Sequence, residues 1–303
     1  MVKEWGTLLF YSQMITFATL PKPMVGHFGV IQRNAIRSWM QMTPAPEILL
    51  FGNDEGVAEF AAEFGLRHFP EMYRNEFGTP LINKLLDHAQ REAKNGLFCY
   101  VNADIFLFPE FTEAVKRSAD FAKHFLMIGD TRCCDIKTLI DFDSPLWEQD
   151  VRRRAFESGS RWRIVGMDYF VFPRGQFSHM PPFAVRPYFD NWFVWDGRQQ
   201  GIPVIDATKF ALAIHQEHPY PPMVGQQPGM HKGTEAQINL ELLGGKDRAY
   251  RLMESDFKMT SGGVVRRSFY GTFCVRMKRD ALKRKLKKII YFFVRPVLQL
   301  VRR

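Results

Sequence analysis

Apolar and polar positions alternate along the first hundred residues in two distinct periods. Met14-Ile15-Thr16-Phe17-Ala18-Thr19 is an apolar run of strand length, and Ile31, Ala35, Ser38, Trp39 and Met42 then recur at helical spacing. Glu47-Ile48-Leu49-Leu50-Phe51 predicts a second strand, followed by the turn Gly52-Asn53-Asp54-Glu55-Gly56. Val57 to Phe64 reads as a helix stopped by Gly65, and Leu66-Arg67-His68-Phe69 as a third short strand. Thr79-Pro80 predicts an N-cap with proline at the first helical position, opening a helix that runs to about Lys94. Gly96 ends it, and Leu97-Phe98-Cys99-Tyr100-Val101 follows as a strand apolar on both faces. Strictly alternating elements of this kind predict a parallel sheet with right-handed crossovers.

That last strand stops in Asn102-Ala103-Asp104. An unpaired carboxylate cannot continue into a buried strand, because desolvating it costs several kcal/mol. Ligands of open α/β sheets bind at the carboxyl ends of strands, where an Asp beside an Asn suits a hard divalent ion holding phosphates. A capping role for Asp104 ahead of a helix opened by Pro109 stays open.

The composition is that of a globular enzyme-sized chain: 303 residues, 46% hydrophobic, 28 of them Phe. Cys99, Cys133, Cys134 and Cys274 have no zinc-ligand spacing and read as reduced thiols. No signal peptide is expected from the N-terminal residues, and no apolar run reaches the ~18 residues of a membrane span. The net charge of +9 is unevenly spread. Residues 276–303 hold eleven Lys and Arg against Asp280 alone, so the rest of the chain is close to neutral. A neutral body speaks against a nucleic-acid partner. The tail, basic first and then aromatic and aliphatic from Ile289, suits a helix lying on an anionic membrane surface, with docking on a protein partner as the other reading.

Ile15-Thr16-Phe17-Ala18-Thr19, Phe51-Gly52-Asn53-Asp54, Arg74-Asn75-Glu76-Phe77-Gly78-Thr79-Pro80 and Tyr100-Val101-Asn102-Ala103-Asp104 fall in the order seen in nucleotide-sugar glycosyltransferases of the GT-A fold. Over residues 10–245 the chain resembles the bacterial family-2-like members. The resemblance implies an α/β GT-A-like single domain with a mostly parallel central sheet flanked by helices, to which the residues of the tail add a basic amphipathic C-terminal helix. Residues 10–110 would form the nucleotide-sugar half, 111–255 the acceptor half and 276–303 the tail. It implies Mn²⁺ or Mg²⁺ on an Asp-x-Asp; here Asn102 stands at the first position, leaving one negative charge fewer.

By position, the resemblance puts Thr16, Ala18, Thr19 and Asp54 at the nucleotide, with a turn role for Asp54 open. Arg74, Asn75 and Thr79 would face the diphosphate or base, with a surface ion pair the other reading for Arg74. Asp104 and Asn102 would meet the metal, joined by His215, with His218 as the alternate. Asp190, at the head of an aromatic helix, would be the general base, with Asp168 second; an N-cap for Asp190 stays open. Thr234 and Gln237 predict a capping box, and Lys232 just before it would contact the diphosphate as part of a flap over the donor, or be merely solvated.

The expected function is metal-dependent transfer of a sugar, from a UDP-sugar donor, to a carbohydrate or lipid-linked acceptor hydroxyl. It would occur in the cytoplasm, at the inner face of the membrane, in envelope polysaccharide or glycolipid synthesis. A sugar nucleotidyltransferase fits poorly, since residues 20–26 hold one Lys and one Gly and no glycine-rich phosphate loop. A non-catalytic binding protein of the same fold is the remaining alternative, kept open by Asn102.

Overall fold

A computed structural model describes residues 15–157, 166–218 and 231–268. The tail 276–303, residues 219–230 of the expected flap, and Cys274 lie outside the described residues. The main sheet has nine strands: β1 (Ile15–Thr19), β2 (Glu47–Phe51), β3 (Arg67–Phe69), β4 (Leu97–Val101), β6 (Leu126–Ile128), β8 (Tyr169–Pro173), β9 (Val204–Asp206), β11 (Phe257–Thr260) and β12 (Gly263–Arg266). Their order is β12-β11-β9-β6-β8-β4-β1-β2-β3. The pairs β1–β2, β1–β4, β2–β3, β6–β9 and β9–β11 are parallel. The expected mostly parallel sheet is therefore observed, with two departures: β12 pairs antiparallel with β11 at the edge, and β8, inside the sheet, runs antiparallel to both β4 and β6. An apolar run such as Tyr169-Phe170-Val171-Phe172 carries no direction, and only its neighbours decide it.

Side chains of β1 and β4 alternate between two cores. Ile15, Phe17, Leu97, Cys99 and Val101 face α1 (Gly26–Met40), α2 (Val57–Phe64) and α4 (Glu110–Phe121). Phe17 meets Trp39 and Phe111 edge to face at centroid distances of 5.5 and 5.9 Å. Ala18, Phe98 and Tyr100 face α3 (Ile82–Glu92), α6 (Phe189–Gln199) and α7 (Thr234–Leu243). Both faces are covered, which is why these strands read as continuous apolar runs. Gly65 closes α2 at φ 64°, a left-handed position that suits glycine.

Two caps differ from expectation. The first is at α3, which begins at Ile82 with Leu81 as N-cap, because Thr79 and Pro80 belong to an extended strap whose bridges run Arg74 to Pro80 and Leu81 to Ala184. The second is at α7, whose N-cap is Gly233 with no side-chain cap bond; Gln237 instead donates to the His231 carbonyl.

A second, three-stranded sheet orders β5 (Ile105–Leu107), β10 (Ala213–Gln216) and β7 (Arg132–Cys134). With α5 (Trp147–Glu157) it encloses a separate cluster of Phe106, Phe108, Phe142, Val151 and Ile214. Its strands are three or four residues long, too short for a periodic signal. Among the described residues no helix is long and apolar enough to cross a membrane.

Tyr169 packs edge to face on Phe111, fully buried, and its hydroxyl has no hydrogen-bond partner among the described residues. That hydroxyl occupies the space beside Gly129, where a Cβ would come within 1.9 Å of it. A buried orphan hydroxyl costs stability that a phenyl ring does not. Tyr169→Phe is expected to raise the urea-unfolding free energy by about 1 kcal/mol. Destabilisation of that size would mean the hydroxyl has a partner.

Candidate active site

The carboxyl end of β4 is where the chain leaves the main sheet. Asn102-Ala103-Asp104 turns the backbone, the Ile105 amide donates to the Asn102 carbonyl at 3.1 Å, and β5 begins the second sheet. Because β10 pairs antiparallel with β5, His215 comes opposite Ile105, one residue from Asp104. His218 follows a few residues on. His218 Nε2 lies 2.9 Å and His215 Nε2 3.6 Å from Asp104 Oδ2. One ligand atom from each of the three residues lies within 4.8 Å of the others.

Burial, the largest single influence, disfavours charge on Asp104, but the His218 hydrogen bond together with the charges of His215, Lys22 and His218 outweighs it and holds its pKa at about 2. Asp104 is thus a carboxylate. Its second oxygen, Oδ1, is buried without a hydrogen-bond partner among the described residues. An ionised oxygen left so, beside two imidazoles, is the donor set a divalent ion takes, so these residues fit a metal.

The backbone around the cluster is pinned from within. The Gln216 amide and side-chain Nε2 both donate to the Asp104 carbonyl, at 3.3 and 3.2 Å. Asn34, on α1, donates to Gln216 Oε1 at 3.3 Å and accepts from the Ile140 amide at 2.9 Å. Gln32 clasps the connection after β1, accepting from the Lys22 amide at 2.7 Å and donating to the Lys22 carbonyl at 3.0 Å. Phe28, at the start of α1, lies 5.0 Å from the His218 ring and 4.8 Å from Lys22 Nζ.

The antiparallel approach of β8 brings Asp168 beside Asn102. The Asn102 amide donates to the Asp168 carbonyl at 3.0 Å, and its side-chain Nδ2 to Asp168 Oδ1 at 3.1 Å. Thr131 Oγ1 donates to Asp168 Oδ2 at 2.9 Å. Asn102 is thereby turned toward Asp168 through its nitrogen. Burial, with the charges of Asp104 and Asp168 adding to it, raises the pKa of the Tyr100 hydroxyl.

Asp190 lies in the first turn of α6. Its carboxylate accepts from the Tyr188 amide at 3.1 Å, folding back on the N-cap residue, which is held at φ 88°. Burial, with the negative charge of Asp168 adding to it, pushes Asp190 up to about 6, against bonds from the Asn191, Tyr188 and Asp190 amides.

A second buried polar group buckles the strap before α3 to α7. Asn75 Nδ2 donates to Glu235 Oε1 at 2.8 Å, Arg186 pairs with Glu235 Oε2 at 3.0 Å, and Arg186 Nη2 donates to Thr79 Oγ1 at 2.9 Å. Burial opposes charge on Glu235, yet Asn75, Thr79 and Arg186 lower its pKa. Asn239 accepts from the Ala184 amide at 3.1 Å and donates to the Ala184 and Pro187 carbonyls at 2.9 and 3.1 Å. These bonds fix the segment that delivers Asp190.

The expected residues are only partly gathered. Asp104 and His215 meet, with the alternate His218 beside them; Asn102 and Asp168 meet; Asn75 and Thr79 join Arg186 and Glu235, neither of which the sequence singled out. Thr19 ends β1 with a buried hydroxyl that has no partner among the described residues. Thr16 is set apart: its hydroxyl donates to Glu47 at 2.7 Å and accepts from Asn95 at 3.2 Å, toward the amino end of β1. Ala18 lies in the apolar core under α3. Arg74 is exposed and donates to the Gly78 carbonyl of its own turn at 2.9 Å. Asp54 is half-buried after β2, and its carbonyl accepts from the Val57 amide. Lys232 is exposed ahead of α7.

No family profile and no curated protein sequence matches the chain. Solved structures similar to it include residues 1–349 of Staphylococcus aureus TarS, at 9% identity and TM-score 0.33, covering 42% of this chain and 38% of that one. The chain thus spans well under half the length of that protein. The glucosyl-3-phosphoglycerate synthase of Mycobacterium tuberculosis is similar at 12% identity and TM-score 0.46, over 78% of this chain and 81% of that one. A structure of that enzyme in complex with Mn²⁺, UDP and phosphoglyceric acid is similar at 11% identity and TM-score 0.43, over 70% and 74%. At such identities and scores these likenesses carry no weight for function, which has to be read from the side chains themselves.

The raised Asp190 pKa has a consequence for stability. Between the ordinary carboxylate range and about 6, the folded protein holds a proton on Asp190 that the unfolded chain has released. The stability Asp190 lends is full below that window and is lost as pH rises through about 6. Asp190→Asn is therefore expected to unfold at a higher temperature than wild type at pH 8, the gap closing toward pH 4. Equal shifts at both pH values, by scanning calorimetry, would show that Asp190 titrates normally.

Proposed function

We propose that this protein is a GT-A-like glycosyltransferase that moves a sugar from a nucleotide-diphosphate donor to an acceptor hydroxyl with the help of a divalent ion. The observation that carries this reading is the meeting of Asp104, His215 and His218 at the carboxyl edge of the sheet. Asp168 and the high-pKa carboxylate of Asp190 approach the same edge. The donor diphosphate faces the Asp104 cluster, with Lys232 and the strap carrying Asn75 and Thr79 beside it. A bound ion would offset the charge that builds on the diphosphate as it leaves.

Asp190 serves as base. As the acceptor oxygen bonds to the anomeric carbon and the bond to the diphosphate breaks, the hydroxyl proton passes to the Asp190 carboxylate. A pKa of about 6 keeps it ionised at neutral pH yet more basic than an ordinary Asp. Asp168 tunes it by repulsion from a fixed position between Asn102 and Thr131. The donor we favour is a UDP-sugar and the acceptor a carbohydrate or lipid-linked sugar.

The test is release of nucleoside diphosphate from a panel of nucleotide sugars, with and without EDTA and added Mn²⁺. Asp104→Asn is expected to abolish turnover while thermal unfolding stays cooperative. Asp190→Asn is expected to lower kcat by about 10²–10⁴-fold with donor affinity nearly unchanged. If Asp168→Asn shows that pattern instead, Asp168 is the base.

The tail supports a place at a membrane. Eleven basic residues in 276–303, eight of them ahead of the aromatic and aliphatic run from Ile289, are proposed to hold the enzyme at an anionic lipid surface on the cytoplasmic side. Each basic side chain near the surface adds about 1 kcal/mol, weakened by salt. Full-length protein is expected to float with anionic vesicles at low salt and not with neutral ones, and truncation at residue 275 to abolish flotation. Indifference to anionic vesicles would assign the tail to a protein partner.

A further inference from the structure

Among the described residues Phe177 and Tyr188 are the non-glycines with positive φ, at 62° and 88°. A left-handed backbone presses a Cβ against the carbonyl oxygen that follows, so glycine or asparagine is its usual occupant. For Phe177 packing is the compensation: its ring is buried and meets Phe172, Trp192 and Phe193 at centroid distances of 5.1, 5.8 and 5.2 Å. Tyr188 has no such cover. It packs on the core only in part, and its ring leans on that of His231, itself exposed, at 5.4 Å. Tyr188 is also the N-cap of α6, where a short polar side chain is favoured, and it makes no side-chain cap bond. Two local preferences are thus broken at one residue, and breaks of this kind gather at binding and catalytic sites.

The strain is held from both sides. Asn239 donates to the Arg186 and Pro187 carbonyls at 3.2 and 3.1 Å, fixing the chain just before Tyr188. Just after it, the Trp192 amide donates to the Tyr188 carbonyl at 3.3 Å. The Tyr188 amide is thereby aimed at Asp190 Oδ1, 3.1 Å away. One bent residue so orients the carboxylate assigned as base and sets a half-buried aromatic ring at the head of the same helix. The face of an aromatic ring is negative and its body apolar, which suits the C–H face of a sugar ring. An open-chain alcohol has no such face to offer.

We infer that Tyr188, braced by His231, is the platform on which the acceptor lies, and that the acceptor presents a pyranose ring to it. This rests on the transferase reading above, with Asp190 as base. The experiment uses full-length protein and the methyl glycosides of glucose, galactose, mannose and N-acetylglucosamine, titrated by saturation-transfer NMR. At least one pyranoside is expected to receive saturation on its ring C–H protons, and glycerol, which has hydroxyls but no ring face, to receive none. Tyr188→Phe should keep the affinity and Tyr188→Ala weaken it about 10-fold. His179→Ala, at a histidine paired with Asp196, should match the unaltered protein. Tyr188→Gly should melt about 2–4 °C above Tyr188→Ala, since only glycine takes the left-handed turn freely. The inference is overturned by unaltered protein that binds no pyranoside or binds glycerol equally, by undiminished affinity in Tyr188→Ala, or by a melting order reversed between Ala and Gly. Loss in Tyr188→Phe as large as in Tyr188→Ala would assign recognition to the hydroxyl and overturn the ring platform. Should Tyr188→Ala not fold, the comparison of pyranosides with glycerol on unaltered protein still decides. Nucleoside diphosphate release from nucleotide sugars, measured without pyranoside, separates the two readings. Release without pyranoside binding overturns the platform alone; pyranoside binding through Tyr188 with no nucleotide sugar consumed, pyranoside present or absent, overturns the transferase and leaves a sugar-binding site.

Discussion

A carboxylate at the end of a strand buried on both faces has to be met by positive charge or donors, and in this protein the meeting of Asp104 with His215 and His218 organises everything around it. Asp104 cannot remain in the main sheet, so the chain breaks there and starts the small sheet. That sheet exists to bring β10 alongside β5, and β10 brings the first histidine. The bonds of Gln216 to the Asp104 carbonyl and to Asn34 then lock α1 to the same point. A neutral residue at 104 would remove the reason for this arrangement, although the apolar packing of Phe17, Trp39 and Phe111 beneath it would stay.

The second organising group, Glu235 with Arg186, Asn75 and Thr79, is of another kind. It joins three stretches that are distant in the sequence and makes them one wall. An ion pair of this sort contributes little net stability once desolvation is counted, but losing one partner leaves the other charge buried and alone. What it provides is a fixed path for residues 184–188, and so a fixed entry angle for the helix that carries Asp190. The Asn239 bonds to Ala184, Arg186 and Pro187 on that path serve the same end.

Much of the fold was legible because burial writes itself into composition. Glu47–Phe51 and Val57–Phe64 are bounded as the pattern predicts, the first by an apolar run and the second by Gly65. Asp104 was legible for the same reason, as a charge terminating an apolar run, and His215 as a polar end to another. The direction of β8 was not, since hydrophobicity has no sense along the strand; with it went the pairing of Asn102 with Asp168. Thr79-Pro80 misled because a capping sequence is also a good strap, and the bridge to Arg74 decided between them. Arg186 and Glu235 gave no signal at all: each is a single charged residue, the first in a proline-rich apolar stretch and the second in a polar one, and only tertiary structure makes them neighbours.

The reversal of β8 has one more effect. In a purely parallel sheet only strand ends reach the ligand edge; a reversed strand presents its beginning there. Asp168 therefore takes its place from the ladder between β4 and β8, in which Val101 lies opposite Tyr169. Within the segment inserted between them, Thr131 braces the Asp168 carboxylate just before β7, while α5 packs on the separate cluster around Phe106. The outer face of α5 is thus free to change in length and surface while Asn102 and Asp168 keep their pairing.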